Sequence, residues 1–394
     1  MPDRSGPYQA GTNKRIHSLD LIRGVAILGI LFMNIMSMAA PQFAYYVPEW
    51  YEGAGLSDHI IYAVQSLFVE SRFFSLFALL FGAGLAIQSD RFRERDLDPK
   101  RWITRRLRWL LVFGLLHGFL IWVGDILTLY ALSGLLVYRY ARWPVRRMVK
   151  VGVVLVLLGQ LALLAAFVGS LLSGENILQV PELPYAASEL AELRDRWTGF
   201  SRIGENATLF IGALGIIPLS QLWHTAGVML FGMALFRSGF FGNREAWKKA
   251  LPWALVGLIA AAAILRLRYT LGVDTSASYA TISMMEIPGL LMAIGYASVL
   301  VLFGNGESAL LRALRSAGKS AFSLYLSQSV LMVGLFSCLV PRLWGSLSRL
   351  EFWLVVAAFS ALQLLAAHWW QTHRGRGPME RLWRHLAYRK LKRT

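Results

Sequence analysis

The chain has 394 residues, of which 56% are hydrophobic and only 16% are charged. This balance excludes an ordinary soluble domain, in which about 25% of residues are charged. The formal charge of +17 is high enough for a nucleic-acid-binding protein, but the basic residues lie in gaps between apolar blocks and not in one stripe. We therefore expect no nucleic-acid partner.

The apolar residues fall into blocks of about 17 to 25, the length that crosses a bilayer core. They predict an all-α, polytopic membrane helix bundle with about ten transmembrane helices. In chain order, the predicted spans are 21–40, a segment with core 73–87, 103–121, 126–138, 149–172, 209–236, 251–265, 284–303, 317–340 and 352–369. Residues 57–69 are also mostly apolar, and they either extend the second span or form an interfacial helix.

The positions of the basic residues predict the orientation. With the N-terminus inside, alternate gaps hold most of the Lys and Arg, including the tail 374–393. The other gaps hold only Arg194, Arg196, Arg202, Arg266, Arg268, Arg342 and Arg349. Because basic residues concentrate in cytoplasmic loops, both termini are predicted to be cytosolic. The chain then divides into a cytosolic segment 1–18, a transmembrane domain 19–370 and a basic cytosolic tail 371–394.

Polar residues inside apolar spans are costly, so each of them needs a reason. Asn34, His117, Asp125 and Glu286 fall in the outer parts of their predicted spans. They would line one pocket if their helices were neighbours. The single cysteine, Cys338, allows no cysteine cluster, and no metal is expected.

His117 and Asp125 belong to consecutive spans joined by the short turn 122–124, so the two side chains are expected to be close. A carboxylate beside an imidazole fixes the tautomer of the ring and raises its basicity, as a general base requires. The alternative is that Asp125 caps the next helix and His117 is a buried hydrogen-bond partner. The sequence leaves both readings open.

The remaining intramembrane polar residues are read in the same way, with a structural role beside a functional one where the sequence offers both. Asn34 either polarises a carbonyl or makes an interhelical hydrogen bond. Arg72 is either an interfacial anchor or a substrate clamp. Gln221, His224 and Gln328 are typical of helix contacts.

The segment 91–108 is dense in Arg and Lys. Such a loop either anchors the protein to anionic lipid or binds a polyanion such as the phosphates of coenzyme A. Membrane lipids are expected partners in both cases.

Several motifs together resemble the YeiB-like family of bacterial inner-membrane proteins, which has a domain of unknown function numbered 418. They run in order through the chain: Ser18-Leu19-Asp20-Leu21-Ile22-Arg23-Gly24 followed by Asn34, Phe73-Phe74-Ser75-Leu76-Phe77 with Gly82-Ala83-Gly84, Arg105-Arg106-Leu107 with His117 and Gly124-Asp125, Gly318-Lys319-Ser320-Ala321-Phe322-Ser323-Leu324-Tyr325, and Gly377-Pro378-Met379-Glu380. The resemblance implies a multi-pass protein of the bacterial inner membrane.

The opening motif is also similar to that of the wider transmembrane acyltransferases, which pass an acyl group from cytosolic acyl-CoA to an acceptor across the membrane. This similarity implies acyl-CoA as the donor substrate. Asn34 matches an Asn in the enzyme that acetylates heparan glucosamine, whereas the O-acyltransferases have His at that position.

The leading hypothesis from the sequence is acyl transfer to a hydroxyl or amine near the outer face. His117, Asp125 and Asn34 would be catalytic; Arg23, Arg101, Arg105 and Arg106 would bind the donor phosphates; Arg72, Glu286, Tyr325 and Gln328 would line the substrate site. The alternatives are a small-solute transporter that uses Gln221, His224 and Gln328, and a non-catalytic membrane protein. The acceptor, the acyl chain and a homo-oligomeric state stay open.

Overall fold

The computed structural model describes residues 16–173, 183–272, 281 and 284–388. Within these ranges the chain is helical and forms no β-strand, which confirms the predicted all-α fold. The described helices are α1 (His17–Ala39), α2 (Leu56–Phe68), α3 (Arg72–Arg93), α4 (Pro99–Leu120), α5 (Leu127–Val137), α6 (Val145–Ser173), α7 (Ala187–Trp197), α8 (Ser201–Ile216), α9 (Gln221–Arg237), α10 (Ala246–Leu271), α11 (Glu286–Leu302), α12 (Ala309–Lys319), α13 (Ala321–Gly334), α14 (Arg349–His373) and α15 (Pro378–Tyr388).

Six helical segments in the described ranges are long and apolar enough to cross a membrane, so the chain is a multi-pass membrane protein. They are α1, α2 together with α3, the first part of α6, α10, α13 with the turn that follows it, and α14. The pair α8 and α9 makes a seventh if it crosses as one span, although the two helices are bent by 67° relative to each other.

The three other predicted spans fall on α4, α5 and α11. The first turns of α4 are basic, and α11 has 17 residues. At 1.5 Å per residue, the 11 residues of α5 extend only about 16 Å, half of a hydrocarbon core of about 30 Å. The count of ten spans and the cytosolic termini therefore stay predictions.

Residues 57–68 lie in α2 and Val69 is its C-terminal cap; a break follows at Ser71, where the backbone is left-handed with φ of 61°. The segment Leu56–Arg93 is 38 residues long. It would extend roughly 57 Å, almost twice the thickness of a hydrocarbon core. Because α3 alone is long enough to cross, we expect α2 to project beyond the core at the end away from Arg93.

Glycines allow two pairs of helices to touch backbone to backbone. On α3 and α9, a Cβ atom added to Gly82 or Gly232 would lie 2.0 or 1.9 Å from a carbonyl oxygen of the partner helix. On α1 and α12, a Cβ on Gly24 or Gly318 would come within 1.9 or 1.8 Å of such an oxygen. Small residues at these positions permit the close packing that stabilises membrane bundles.

The predicted tail contains α15, which packs under the bundle. The Glu380 carboxylate accepts hydrogen bonds from the backbone N–H groups of Phe322 (2.8 Å) and Ser323 (3.1 Å) and from the Ser323 hydroxyl, so it caps the start of α13. The Trp383 indole N–H donates to the carbonyl oxygen of Arg106 on α4 at 2.9 Å. We call this end of the bundle, where α15 meets Arg106 of α4, the basic face.

Replacing Glu380 by alanine is expected to release α15, because the first N–H groups of α13 lose their acceptor. A lost helix cap costs about 1 to 2 kcal/mol, which would raise the undocked fraction and speed tryptic cleavage at Arg374 and Arg376. Limited trypsin digestion of a C-terminally tagged protein in detergent measures this rate. The exposed Glu94, replaced by alanine, is the control, and equal cleavage rates in both variants would contradict the capping role.

Candidate functional site

His117 and Asp125 meet at the end opposite the basic face. His117 lies in the last turn of α4, and Asp125 lies just before α5. The His117 Nδ1 atom is 2.9 Å from Asp125 Oδ1, and both side chains are at most 1% exposed. The short turn between the helices thus brings the pair together, as the sequence predicts.

Asp125 is also the cap of α5. Its Oδ1 and Oδ2 atoms accept from the backbone N–H groups of Leu127 (3.2 Å) and Thr128 (2.7 Å). Asp125 therefore both caps α5 and contacts the His117 imidazole, and the general-base role of His117 stays a prediction. Because an ionised carboxylate only accepts, Nδ1 of a neutral His117 carries the proton and Nε2 is left as the basic atom. His117 Nε2 is buried and has no hydrogen-bond partner among the described residues.

Tyr325 on α13 packs against this pair. Its ring centroid is 5.2 Å from that of His117, and its hydroxyl oxygen accepts from the Ile126 N–H at 3.1 Å. Gly114 on α4 makes the arrangement possible, because a Cβ there would lie 2.4 Å from Thr128 N and 2.8 Å from Asp125 Oδ2. Sequence reasoning missed Gly114, which carries no signal beyond its small size near His117.

A cavity of about 280 Å³ leads from the basic face to Tyr325. At the basic face its wall includes Arg23, Arg106 and Lys319, and further in it is apolar and aromatic. Its wall includes Phe77, Leu80, Phe81, Leu107, Leu110, Ile126, Leu127, Tyr130, Phe322 and Tyr325. His117 and Asp125 do not line this cavity. Tyr325 both lines the cavity and packs against His117, so it lies between the cavity and the pair.

A second cavity, of about 610 Å³, lies at the basic face and shares Gln88 and Arg106 with the first. Its wall is strongly basic and includes Arg91, Arg95, Arg106, Arg376, Arg381, Arg384 and His385. Three of these arginines come from the C-terminal part of the chain and were missed by sequence reasoning. The signal available was the mix of basic and aromatic residues along α15.

The predicted donor-binding arginines have different positions. Arg106 lines both cavities, with its guanidinium carbon 3.8 Å from the Trp383 ring centroid. Arg23 lines the smaller cavity and lies 3.5 Å from Asp20. Arg105 donates to the Leu386 carbonyl at 3.0 Å and lines neither cavity. Arg101 is exposed and also lies outside both.

The other predicted site residues lie elsewhere. Asn34 is buried on α1, does not line either cavity, and makes no hydrogen bond to His117 or Asp125 in the described structure. Arg72 donates to the Glu70 carbonyl at 2.5 Å. Gln328 donates to Ile27 O and to Gln363 Oε1, each at 2.9 Å.

Glu286 belongs to a separate polar cluster on α6, α9 and α11. Its Oε2 atom is 3.1 Å from His224 Nδ1 and accepts a hydrogen bond from Gln160, and its Oε1 accepts from Gln221 at 2.9 Å. Of the four predicted lining residues, Tyr325 is therefore the one on the cavity wall. Similar depth in the membrane predicted that Glu286 would share a pocket with His117 and Asp125. In the structure Glu286 contacts His224 and Gln221 instead.

Comparison with known proteins gives the same relationship as the motifs. The family model "Protein of unknown function (DUF418)" matches residues 235–390. The chain is 33% identical over 386 residues to "Uncharacterized protein YeiB" of Escherichia coli (strain K12). The aligned region covers 94% of this chain and 96% of that protein. It is 26% identical over 405 residues to "Uncharacterized protein YxaH" of Bacillus subtilis (strain 168), with 96% and 95% covered. No solved structure matches. This near-full-length identity means that the chain belongs to the YeiB-like family, which carries the DUF418 domain.

Proposed function

We propose that this protein is an acyltransferase of the bacterial inner membrane that takes its acyl group from cytosolic acyl-CoA. One observation carries the proposal: a basic cavity shares the lining residues Gln88 and Arg106 with a mainly apolar cavity that reaches Tyr325, beside the His117–Asp125 pair. The basic face is cytosolic by the positive-inside rule. The acceptor, a hydroxyl or an amine, would approach from the opposite face.

The two cavities match the two ends of acyl-CoA in polarity: one is basic, as the phosphates require, and the other is mainly apolar, as the acyl end requires. Arginines bind phosphate through paired N–H groups, and the larger cavity has six of them in its wall. The smaller cavity has the apolar wall that a pantetheine arm and a short acyl group require. Arg106, in the wall of both, is the residue we assign to the diphosphate.

The pair supplies the base. His117 Nε2 would take the proton of the acceptor as its oxygen or nitrogen attacks the thioester carbonyl, while Asp125 holds Nδ1–H. The C–S bond then breaks, and the leaving thiolate takes that proton from His117 to give CoA-SH. Tyr325 has to move from between cavity and pair for this step. Asn34 is given no part, because it lies off the cavity.

Acetyl-CoA binding tests the proposal and separates two predicted arginines. Replacing Arg106 by glutamine is expected to weaken binding by roughly 10- to 100-fold, since hydrogen bonds to charged groups contribute about 1.5 to 3 kcal/mol. Replacing Arg101 by glutamine should leave affinity unchanged. Calorimetry on the purified protein in detergent measures both, and absence of saturable binding at near-millimolar acetyl-CoA would reject the donor.

Transport of a small solute is the second candidate, and one observation favours it. The bent pair α8 and α9 places Gln221 and His224 at the start of α9, where they meet Glu286. Interrupted helices with buried polar residues form the binding sites of many transporters. Glu286→Gln should abolish uptake or export if this reading is right, whereas acyl transfer should survive the same change.

A further inference from the structure

A pair of buried arginines lies at the end of the bundle opposite the basic face. Arg268 is in the last turn of α10, and Arg349 is the first residue of α14; they are 1% and 0% exposed. Each guanidinium carbon is 5.0 Å from the ring centroid of Tyr62 on α2. The two cations are therefore at most twice that distance apart, and no step of the proposed acyl transfer uses them.

Each arginine uses one nitrogen to hold the loop that follows α1. Arg268 Nη2 donates to the Tyr46 carbonyl at 3.0 Å. Arg349 Nη2 donates to the carbonyls of Val47 (2.7 Å) and Ala44. The Nε and Nη1 atoms of both arginines are buried and have no hydrogen-bond partner in the ranges that the structure describes.

Nearby carboxylates make no hydrogen bond to these donors, although Glu70 forms an ion pair with Arg268. Asp58 accepts from the backbone N–H groups of Arg349 (2.9 Å) and Gly55 (3.2 Å) and from the Tyr51 hydroxyl (3.4 Å). Glu70 Oε2 lies 3.9 Å from Arg268 Nη1, which is too far for a hydrogen bond. Four guanidinium nitrogens thus have no hydrogen-bond acceptor among the described residues, and buried charged donors without an acceptor are strongly destabilising.

We infer that Arg268 and Arg349 form a binding site for an oxyanion, a phosphate or a carboxylate group. The Nε and Nη atoms of a guanidinium match two oxygens of such a group. One oxyanion would satisfy donors from both arginines and screen their mutual repulsion across Tyr62. Because the length of Leu56–Arg93 leads us to expect that α2 projects beyond the hydrocarbon core, we take the anion to be either a phospholipid headgroup or a soluble group on the outer side.

Inorganic phosphate is the probe. Thermal unfolding of the full chain in dodecyl maltoside is measured with increasing sodium phosphate, against sodium chloride at equal ionic strength. We expect a saturable rise in Tm with phosphate beyond that with chloride. Arg268→Gln and Arg349→Gln should each weaken phosphate binding by roughly 10- to 100-fold. Arg266→Gln changes an exposed arginine on the same turn and should behave as the wild type.

Arg268→Lys keeps the positive charge but lacks the paired N–H donors of a guanidinium, and it serves as a second variant if the glutamine variant does not fold. We expect Arg268→Lys to fold and to bind phosphate more weakly than the wild type. Nanodiscs of phosphatidylcholine, with or without phosphatidylglycerol, then identify the source. Competition between phosphatidylglycerol and phosphate indicates a lipid headgroup, and its absence indicates a soluble anion. A wild type with equal Tm in phosphate and chloride, or Arg268→Lys binding phosphate like the wild type, overturns the site.

Discussion

Replacing His117 by alanine is expected to lower acyl transfer by about 10²- to 10⁴-fold, the contribution of a positioned general base. The loss should fall on kcat, because His117 lies behind Tyr325 and does not line the donor cavity. Affinity for acetyl-CoA should therefore stay close to that of the wild type. The release of free thiol from acetyl-CoA, with water or an added amine as acceptor, measures turnover, and calorimetry measures binding.

The variant is also expected to fold, because Asp125 keeps its bonds to the N–H groups of Leu127 and Thr128. The lost hydrogen bond to a charged group costs about 1.5 to 3 kcal/mol. His373 is exposed at the end of α14, so His373→Ala is the matched control and should keep full activity. Turnover in His117→Ala within a few-fold of the wild type would reject the base.

Replacing Gly82 by alanine should lower the stability of the protein strongly. The new Cβ would lie 2.0 Å from the carbonyl oxygen of Met229. This oxygen belongs to the backbone of α9, so no change of side-chain rotamer can relieve the clash. The helices would have to separate, and Gly232 on α9 makes the reciprocal contact with α3. Overpacking of this kind costs about 3 kcal/mol or more when backbone must shift.

Gly84 provides the control on the same helix, two residues away. A Cβ there meets only the Gln88 side chain at 3.9 Å. Alanine at this position should be neutral or stabilising by up to about 1 kcal/mol, because glycine is a poor helix former. Thermal unfolding in detergent compares the two variants, and a Gly82→Ala protein as stable as Gly84→Ala would contradict the close α3–α9 contact.

What the sequence determined by itself is local or periodic. Apolar blocks predict membrane helices because a bilayer requires about 20 residues per span. The His117–Asp125 contact follows from a turn of three residues, which keeps its ends close in any fold. The sequence offered the helix cap and the contact with His117 as competing readings of Asp125, and the structure contains both because Oδ1 accepts from His117 and Leu127 while Oδ2 accepts from Thr128.

The tertiary structure alone decided which polar groups share a site. Asn34, His117 and Glu286 have similar predicted depth, but the direction in which each faces depends on helix packing, and that packing depends on glycine contacts far apart in sequence. The wall of the basic cavity is likewise formed by α3 and α4 together with α15, which lies more than 250 residues later in the chain. Charge counts predict the side of the membrane on which arginines lie, and only the folded backbone decides which of them face one cavity.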